Sequence, residues 1–261
     1  MGLSGESYLY NNPLVCRGGV TRRPWFAVPC CPSNLSRTWA SLGKYIFSFD
    51  RDNVWVHQYI GSAATLDLAV PIEISIESGL PLAGSITLRV NPVRSIDFAL
   101  QLRIPSWAVG HPIEIRINGE GEPLPTTART DAEPAAQGYD PRWSHFIPLT
   151  RTWQPGDTIE LAFEMPITLR RAHPRVKSHA GKVAITRGPL VYCLESVDNP
   201  HVDIFTARLD PTTLHAEYDE HRLGGAEVLR ARTSDHQWLT FIPYQLWANR
   251  GESQMTVWVN V

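Results

Sequence analysis

The chain contains 261 residues, a length typical of one large domain or two smaller ones. Its hydrophobic content of 43% and charged content of 19% favour a folded core over general disorder. The net charge of -2 gives no basic surplus for binding nucleic acid. No apolar run approaches the ~18 residues of a membrane span, so we expect no membrane segment.

The N-terminal residues and the cysteines indicate a cytoplasmic protein. Residues 1–14 lack the charged start and apolar core of a signal peptide. Four cysteines do not make a disulfide framework in a chain of this length, and adjacent cysteines bridge each other only with strain. We therefore expect a reducing compartment in which the thiols stay free.

The first predicted element is a helix that follows the stretch WFAVPCCPSN, residues 25–34. Ser33 or Asn34 is suited to cap its N-terminus, and Gly43 is suited to end it. Apolar residues recur between them with helical spacing at Leu35, Trp39 and Leu42. On this interpretation Cys30 and Cys31 lie just before the helix N-terminus.

From about residue 45 onward, apolar and polar residues alternate, which is typical of strands with one buried face. The clearest runs are 72–76, 86–90, 96–104 and 113–117. The last run ends at Asn118-Gly119, a pair that favours a turn. Short strands separated by turns predict an antiparallel β-sandwich.

Two polar stretches divide the strand patterns. Residues 119–142 are rich in turn-forming and small residues and predict a long surface loop. Strand patterns return at 145–149 and 158–163, and residues 170–182 then break them with charged and turn residues. A second set follows at 183–186, 190–194, 238–242 and 255–259. We therefore predict a mainly β chain with two sandwiches and a boundary near residue 170.

The adjacent residues Cys30 and Cys31 are the strongest candidates for chemistry. A thiol at a helix N-terminus has a lowered pKa, because main-chain N–H groups and the helix dipole favour the thiolate. Such a thiolate is a nucleophile or a metal ligand, but zinc usually takes two separated ligand pairs and the second pair is missing. Cys193 lies in an apolar strand pattern and is expected to be inert, whereas Cys16 could approach the pair. Spacing alone leaves a functional pair and an ordinary surface pair both open.

No other residue type identifies a functional site by itself. The nine histidines lack metal-binding spacing, and the chain has no nucleophile elbow and no phosphate-binding glycine motif. The nine tryptophans include candidates for stacking against sugars, although those on strands are expected in the core. Trp25, beside the cysteines, is the best candidate for the wall of a site.

Several stretches occur in the order found in a known enzyme family. They are YNNPL, RRPWFAVPCCPSNLSRTWASLGKYIFSF, VWVHQYIGSAA, GKVAITRGPLVYCLESVDN and FIPYQLWANRGESQMTVWV. Together they resemble glycoside hydrolase family 127, the β-L-arabinofuranosidase family, whose members have an (α/α)6 barrel followed by two β-sandwiches. The resemblance implies that residues 1–46 are the remnant of the barrel. Residues 47–169 would form the first antiparallel sandwich and residues 170–261 the second.

The resemblance also implies a zinc site. In the family, zinc is held by three cysteines and a glutamate, and the first cysteine of the adjacent pair attacks the anomeric carbon in retaining hydrolysis. Cys30 matches this nucleophile and one zinc ligand, and Cys31 matches a second zinc ligand. The other two ligands and the acid/base glutamate have no match in the chain, because Cys16 and Glu6 do not correspond to them.

The predicted function follows from these missing ligands and the missing acid/base residue. We expect a truncated β-L-arabinofuranosidase-like hydrolase that is inactive or nearly so alone. Its partners would be L-arabinofuranoside-containing glycans and, for assembly, a second copy of the chain or a separately encoded barrel chain. Leu35 and Trp39 would then expose apolar surface that a barrel normally covers. The alternative is a non-catalytic β-sandwich module that binds carbohydrate or supports oligomerisation.

Overall fold

The computed structural model describes residues 1–123 and 145–261. The chain forms two compact units: Met1–Asn34 pack with Ile167–Val261, and Leu35–Pro166 form the other unit. The predicted loop at 119–142 lies outside the described residues from residue 124 onward. The predicted domain limits at residues 46 and 169 follow the resemblance rather than the packing, and they stay predictions.

The chain is mainly β. The described strands are β1 (Val15–Cys16), β2 (Phe47–Phe49), β3 (Asn53–Val56), β4 (Ser62–Asp67), β5 (Pro71–Ser78), β6 (Ser85–Pro92), β7 (Ile96–Ile104), β8 (Ile113–Ile117), β9 (Glu120–Gly121), β10 (His145–Trp153), β11 (Asp157–Phe163), β12 (Ile167–Arg170), β13 (Lys182–Arg187), β14 (Leu190–Glu195), β15 (Leu209–Asp219), β16 (Ala226–Thr233), β17 (Trp238–Pro243), β18 (Met255–Thr256) and β19 (Trp258–Asn260). The described helices are α1 (Cys30–Ala40) and short 3₁₀ helices at Leu42–Tyr45, Lys177–His179, Ser196–Asp198 and Tyr244–Leu246. None of these helices has the length and apolar character needed to cross a bilayer.

Two sheets make up the unit Leu35–Pro166. Four strands form one sheet in the order β10-β7-β3-β2, and six form the other in the order β4-β5-β6-β11-β8-β9. Among the described ladders only β3–β7 is parallel, so the prediction of purely antiparallel pairing is wrong at this ladder. A parallel pair needs a long crossover connection, which is supplied here by residues 57–95 as they pass through the other sheet.

Side chains from both sheets of this unit fill one hydrophobic core. Strand β5 buries one face through Ile72, Ile74 and Ile76. The alternate positions Glu73 and Glu77 are exposed, which confirms the predicted period of two. The largest buried side chain, Trp153, donates its indole N–H to the carbonyl oxygen of Phe98 at 3.1 Å, so burial leaves this polar atom satisfied.

The turn at Asn118-Gly119 forms as predicted, but it joins β8 to β9, so the predicted loop is wrong at Glu120–Gly121. Both residues have positive φ angles, 53° and 83°, which is the backbone of a type I′ turn. The Asn118 side chain donates to Asp157 Oδ1 at 2.9 Å and accepts from the main-chain N–H of Thr158 at 2.9 Å. The turn is therefore fixed to the neighbouring strand β11 as well as by its own geometry.

The described residues of the other unit form one branched sheet of nine strands. Its main path runs β1-β18-β14-β17-β16-β15, while β13 pairs with β12, β14 and β19. Strand β1 pairs with β18 through Val15 and Cys16, so the N-terminal segment is part of this sheet. This pairing accounts for the packing of residues 1–34 with residues 167–261.

Apolar clusters cover both faces of the nine-stranded sheet. Tyr192 and Leu194 point into one cluster, and Cys193 between them points into the other. Leu9 and Val20 of the N-terminal segment pack against the cluster that contains Cys193. Cys193 is buried, as predicted, and burial raises the pKa of its thiol well above the ordinary value.

A network of buried charges lies in the same unit. The side chains of Glu195 and Asp198 are almost inaccessible to solvent, at 0% and 1% exposure. Arg250 bridges them, with contacts of 2.6 Å to Glu195 Oε2 and 2.5 Å to Asp198 Oδ2. Asp198 also pairs with Arg222. The hydrogen bonds that Arg250 donates to Asp198 and to Glu195 raise the pKa of its guanidinium above the ordinary value, so it stays charged.

Sequence patterns missed two long strands, β15 and β16. Strand β15 is an edge strand whose residues are mostly exposed, so it has no regular alternation of apolar and polar positions. Strand β16 buries consecutive residues, Val228 and Leu229, because apolar clusters lie on both sides of it. Both patterns depart from the one-sided strand that alternation predicts.

Candidate functional site

The adjacent cysteines lie within the first turn of helix α1, which begins at Cys30. The predicted caps at Ser33 and Asn34 are wrong, because both side chains donate back to the carbonyl oxygen of Cys30 at 3.0 and 3.4 Å. Pro32 is compatible with the first turn of a helix, because main-chain N–H groups there have no hydrogen-bond partner within the helix. The N–H that proline lacks is therefore not needed. The predicted end at Gly43 is also wrong, since α1 ends at Ala40 and Gly43 belongs to the following 3₁₀ helix.

The two sulfur atoms are close together and open to solvent. Cys30 Sγ and Cys31 Sγ lie 3.6 Å apart, and both residues are exposed. The hydroxyl of Tyr10 lies 2.9 Å from Cys30 Sγ and donates to Cys31 Sγ at 3.3 Å. Sequence reasoning missed Tyr10, because it lies 20 residues from Cys30 and no local pattern joins the two.

This geometry favours a thiolate at position 30. The hydrogen bond from Tyr10 lowers the pKa of the Cys30 thiol most, and the contact with Cys31 and main-chain N–H groups at the helix start lower it further. The same contact with Cys30 raises the pKa of the Tyr10 hydroxyl, so Tyr10 stays protonated as a donor. The arrangement matches the sequence-based expectation of a lowered thiol pKa and adds Tyr10 as its main cause.

The N-terminal segment holds Tyr10 in place. Tyr8 and Arg23 exchange two main-chain hydrogen bonds, of 2.9 and 3.0 Å, which align residues 8–10 with the chain before the cysteines. The ring of Phe26 packs against both Tyr8 and Tyr10, with centroids 5.1 and 5.4 Å apart. Arg22 then fixes this segment to its unit by donating to the carbonyl oxygen of Trp247.

The remaining cysteines do not join the pair. Cys16 is buried in β1, where its thiol contacts the carbonyl oxygen of Gly18 at 3.5 Å, and Cys193 is fully buried. Within residues 1–123 and 145–261, no group of three or more His, Cys, Asp or Glu side chains is placed to hold a metal ion. Cys16 therefore does not approach the pair, a possibility that the sequence alone leaves open.

The pair fits two positions of a zinc site. Two thiolates bound to one tetrahedral Zn²⁺ at about 2.3 Å lie roughly 3.8 Å apart. The observed separation of 3.6 Å between Cys30 Sγ and Cys31 Sγ is close to this value. The described residues supply these two thiol ligands and, without a larger metal-ligating group, do not complete the set of four.

Exposed apolar side chains are concentrated around the cysteines in the sequence. More than half of the large apolar side chains that the described residues expose lie before residue 50. Trp25 is 64% exposed, and Leu35 and Trp39 on α1 are 49% and 54% exposed. Helix α1 buries none of its residues. The prediction that Leu35 and Trp39 expose apolar surface is confirmed.

The Tyr10 contact leads to a testable prediction. In Tyr10→Phe, loss of the donor is expected to raise the pKa of the Cys30 thiol, so alkylation of Cys30 by iodoacetamide should slow severalfold near neutral pH. At alkaline pH the difference should vanish or reverse, because a more basic thiolate is a stronger nucleophile. Peptide mapping by mass spectrometry against pH measures the rate at Cys30 alone.

The control for this measurement is Tyr45→Phe, which removes a hydroxyl from a tyrosine that is 60% exposed. Its alkylation profile should match that of the unaltered chain. An unchanged pH profile at Cys30 in Tyr10→Phe would show that the hydroxyl does not stabilise the thiolate.

Comparison with known proteins gives consistent matches. A family model described as the GH127 middle domain of β-L-arabinofuranosidase matches residues 53–165, and one described as the glycoside hydrolase family 127 C-terminal domain matches residues 167–260. The non-reducing end β-L-arabinofuranosidase of Bifidobacterium longum subsp. longum is 29% identical over 98% of this chain and 42% of that protein.

Solved structures agree with these matches. The GH127 β-L-arabinofuranosidase from Geobacillus stearothermophilus T6 is 33% identical, with a TM-score of 0.82 over 100% of this chain and 43% of its own. A second GH127 β-arabinofuranosidase is 28% identical, with a TM-score of 0.80 over the same shares of the two chains. The chain thus spans less than half the length of the relatives it matches.

Proposed function

Because the chain belongs to glycoside hydrolase family 127, we propose that it forms the C-terminal part of a retaining β-L-arabinofuranosidase. The observation that carries this proposal is the exposed thiol pair, whose sulfur atoms lie 3.6 Å apart with the Tyr10 hydroxyl within reach of both. In this proposal Cys30 is the nucleophile, and L-arabinofuranoside-containing glycans are the substrates.

The architecture in this proposal is that of the family. The two sheets around one core in the unit Leu35–Pro166 are the basis of the first sandwich, residues 47–169. The branched sheet of the other unit is the basis of the second, residues 170–261. Residues 1–46, with helix α1, would be the end of the (α/α)6 barrel.

The proposed reaction uses Cys30 in two displacement steps. The Cys30 thiolate attacks the anomeric carbon, a C–S bond forms, the glycosidic C–O bond breaks, and a general acid gives its proton to the leaving oxygen. Water, deprotonated by the conjugate base, then attacks the same carbon and releases the thiolate. Two inversions retain the configuration. Tyr10, Cys31 and the main-chain N–H groups of the helix start lower the pKa of the Cys30 thiol and so favour the thiolate that attacks.

Zinc would take Cys30 and Cys31 as two of its four ligands, and a bound zinc ion keeps coordinated thiols deprotonated. The family resemblance assigns the other ligands to a glutamate and a third cysteine that have no match in this chain. We therefore propose that zinc is held tightly only when another part of the protein supplies them, since two ligands make half a site.

The chain alone is proposed to be inactive or nearly so. The described side chains within hydrogen-bond distance of the Cys30 sulfur are those of Tyr10 and Cys31. Tyr10 is a poor acid because its pKa is raised. Loss of a general acid costs roughly 10²–10⁴-fold in rate, and the sugar pocket of the barrel has no counterpart in residues 1–46.

The exposed apolar side chains of α1 support a missing neighbour. Leu35 and Trp39 lie four residues apart and therefore on one face of the helix. Exposed apolar patches of this kind mark contact surfaces in soluble proteins. We propose that a helical barrel covers this face, supplied by a longer form of the protein or by a separately encoded chain, and that a homodimer is the alternative occupant.

Activity measurements on two proteins test the proposed function. The chain alone is expected to show no hydrolysis of an aryl β-L-arabinofuranoside above background. A chimera in which this chain replaces the matched 43% of the Geobacillus enzyme is expected to hydrolyse it. Hydrolysis by the chain alone that Cys30→Ala removes would overturn the inactivity. A folded, zinc-loaded chimera without activity would contradict the assigned function.

A further inference from the structure

The unit that contains the nine-stranded sheet has a polar groove with no role in the reaction described above. It lies between residues 201–208 and the turn 233–237 that joins β16 to β17, and its volume is about 320 Å³. Binding sites for small ligands span roughly 300–1,000 Å³, so the groove is large enough for a small sugar. The polar character of its lining raises the question of what it binds.

One wall is held in shape by Asp203. Its carboxylate accepts from the main-chain N–H of Phe205 at 2.9 Å and from the Thr206 hydroxyl at 2.9 Å. These bonds lower the pKa of Asp203, so the groove presents an ionised carboxylate. The wall is therefore preorganised, which reduces the entropy cost of binding.

The opposite wall is equally well fixed. In the turn, the Thr233 hydroxyl donates to Asp235 Oδ1 at 2.5 Å and accepts from the main-chain N–H of Gln237 at 2.9 Å. A main-chain bond of 2.9 Å from Ser234 to the carbonyl oxygen of Arg208 joins the two walls. The spacing across the groove is thus set by the fold.

Several polar groups in the groove are left for a ligand. The side chains of His201, Ser234 and Gln237 make no hydrogen bond with the residues that the structure describes. Arg208 uses one guanidinium nitrogen on the carbonyl oxygen of Val261, at 2.7 Å, which leaves its other N–H groups as donors. Asp235 keeps its second carboxylate oxygen as an acceptor.

The mixture of donors and acceptors selects the ligand class. Asp203 and Asp235 are balanced by Arg208 in the lining and by Arg17, whose charge acts on Asp203, so these groups carry no net charge that would favour an anion or a cation. A metal ion is disfavoured because the described residues contain no group of three or more metal-ligating side chains. A neutral ligand whose hydroxyl groups both donate and accept matches carboxylates beside Gln237, His201 and Arg208.

We propose that this groove binds a neutral oligosaccharide, with Asp203 and Asp235 accepting from sugar hydroxyls and with Gln237, His201 and Arg208 donating to them. The groove does not include Cys30, so sugar binding in it can be tested independently of the proposed hydrolysis. It would keep the chain on a polymeric neutral glycan while another part of the molecule acts on it.

Calorimetric titration of the full 261-residue chain with arabinotriose tests the proposal. We expect binding in the millimolar range, typical of a few exposed hydrogen bonds. The double variant His201→Ala/Gln237→Ala should weaken binding about tenfold, because it removes two ligand contacts and no hydrogen bond within the described residues. Cys30→Ala should bind as the unaltered chain does, and digalacturonate should bind more weakly than arabinotriose.

Each contrary result overturns the proposal. These results are no detectable binding of arabinotriose, equal binding by the double variant, loss of binding in Cys30→Ala, or tighter binding of digalacturonate. A melting temperature for the double variant equal to that of the unaltered chain shows that weaker binding is not the result of unfolding. Asp235→Asn is the second groove variant and should also weaken binding, since it reduces the strength of one acceptor.

Discussion

Replacing Cys30 with alanine is expected to abolish hydrolysis by the chimera, with a fall in kcat on the order of 10⁶. The reason is that in the proposed reaction Cys30 supplies the bond-forming sulfur, and Tyr10, Cys31 and the helix start lower the pKa of its thiol. Cys31 also contacts Tyr10, but at the longer distance of 3.3 Å. Steady-state kinetics with an aryl β-L-arabinofuranoside and metal analysis of each variant provide the measurements.

Variants of two other cysteines test the proposed nucleophile separately from the proposed metal ligand. Cys31→Ala should lower zinc content and activity, while a pentosyl adduct trapped by rapid quenching should still map to the peptide position of Cys30. Cys16→Ala removes a buried thiol outside the pair and should retain zinc and activity. An adduct on Cys31, or full activity in Cys30→Ala, would refute the assignment of the nucleophile.

Much of the fold could be predicted because its strands have one buried face. Runs such as Ile72 to Ile76 follow a period of two, and the structure buries the expected side. Alternation does not identify a strand that is covered on both faces, as at Val228 and Leu229, or one that lies at an open edge, as β15 does. Pairing between distant strands, such as the parallel β3–β7 ladder, follows from chain crossover rather than from any local signal.

Only part of the candidate site can be predicted from the sequence, because the rest depends on contacts between distant residues. Two adjacent cysteines near a helix start are a local signal, so Cys30 and Cys31 were identified. Tyr10 reaches them because Tyr8 pairs with Arg23 and because Phe26 packs against the tyrosines. These are tertiary contacts. The helix begins at Cys30, four or five residues before the start that a cap at Ser33 or Asn34 predicts, because these two side chains donate backward to a carbonyl oxygen instead of accepting from main-chain N–H groups.

Arg250→Met is expected to lower the free energy of unfolding by about 3–5 kcal/mol. Methionine keeps most of the apolar stem but removes the positive charge between Glu195 and Asp198, whose side chains are 0% and 1% exposed. Asp198 keeps Arg222 as a direct partner, whereas the described hydrogen bonds left to Glu195 come from neutral donors, the main-chain N–H of Ala248 and the hydroxyl of Ser253. Arg22 acts on Glu195 only as a nearby charge. A buried carboxylate without a directly bonded counter-charge is costly, so most of the loss should arise at Glu195. Equilibrium unfolding in urea, followed by tryptophan fluorescence, gives the free energy.

Two further variants separate charge from packing in this prediction. Arg51→Met removes a guanidinium that is 91% exposed and lies 3.9 Å from Asp52, and it should change stability by less than about 0.5 kcal/mol. In Arg250→Met/Glu195→Gln the unpaired carboxylate is gone, so part of the lost stability should return, because a neutral amide is cheaper to bury than an ion. Equal losses in the single and double variants would mean that Arg250 stabilises the sheet through its contacts rather than through its charge. The buried carboxylates would then have to be compensated by Arg222, by the nearby charge of Arg22 and by the surrounding N–H and O–H donors.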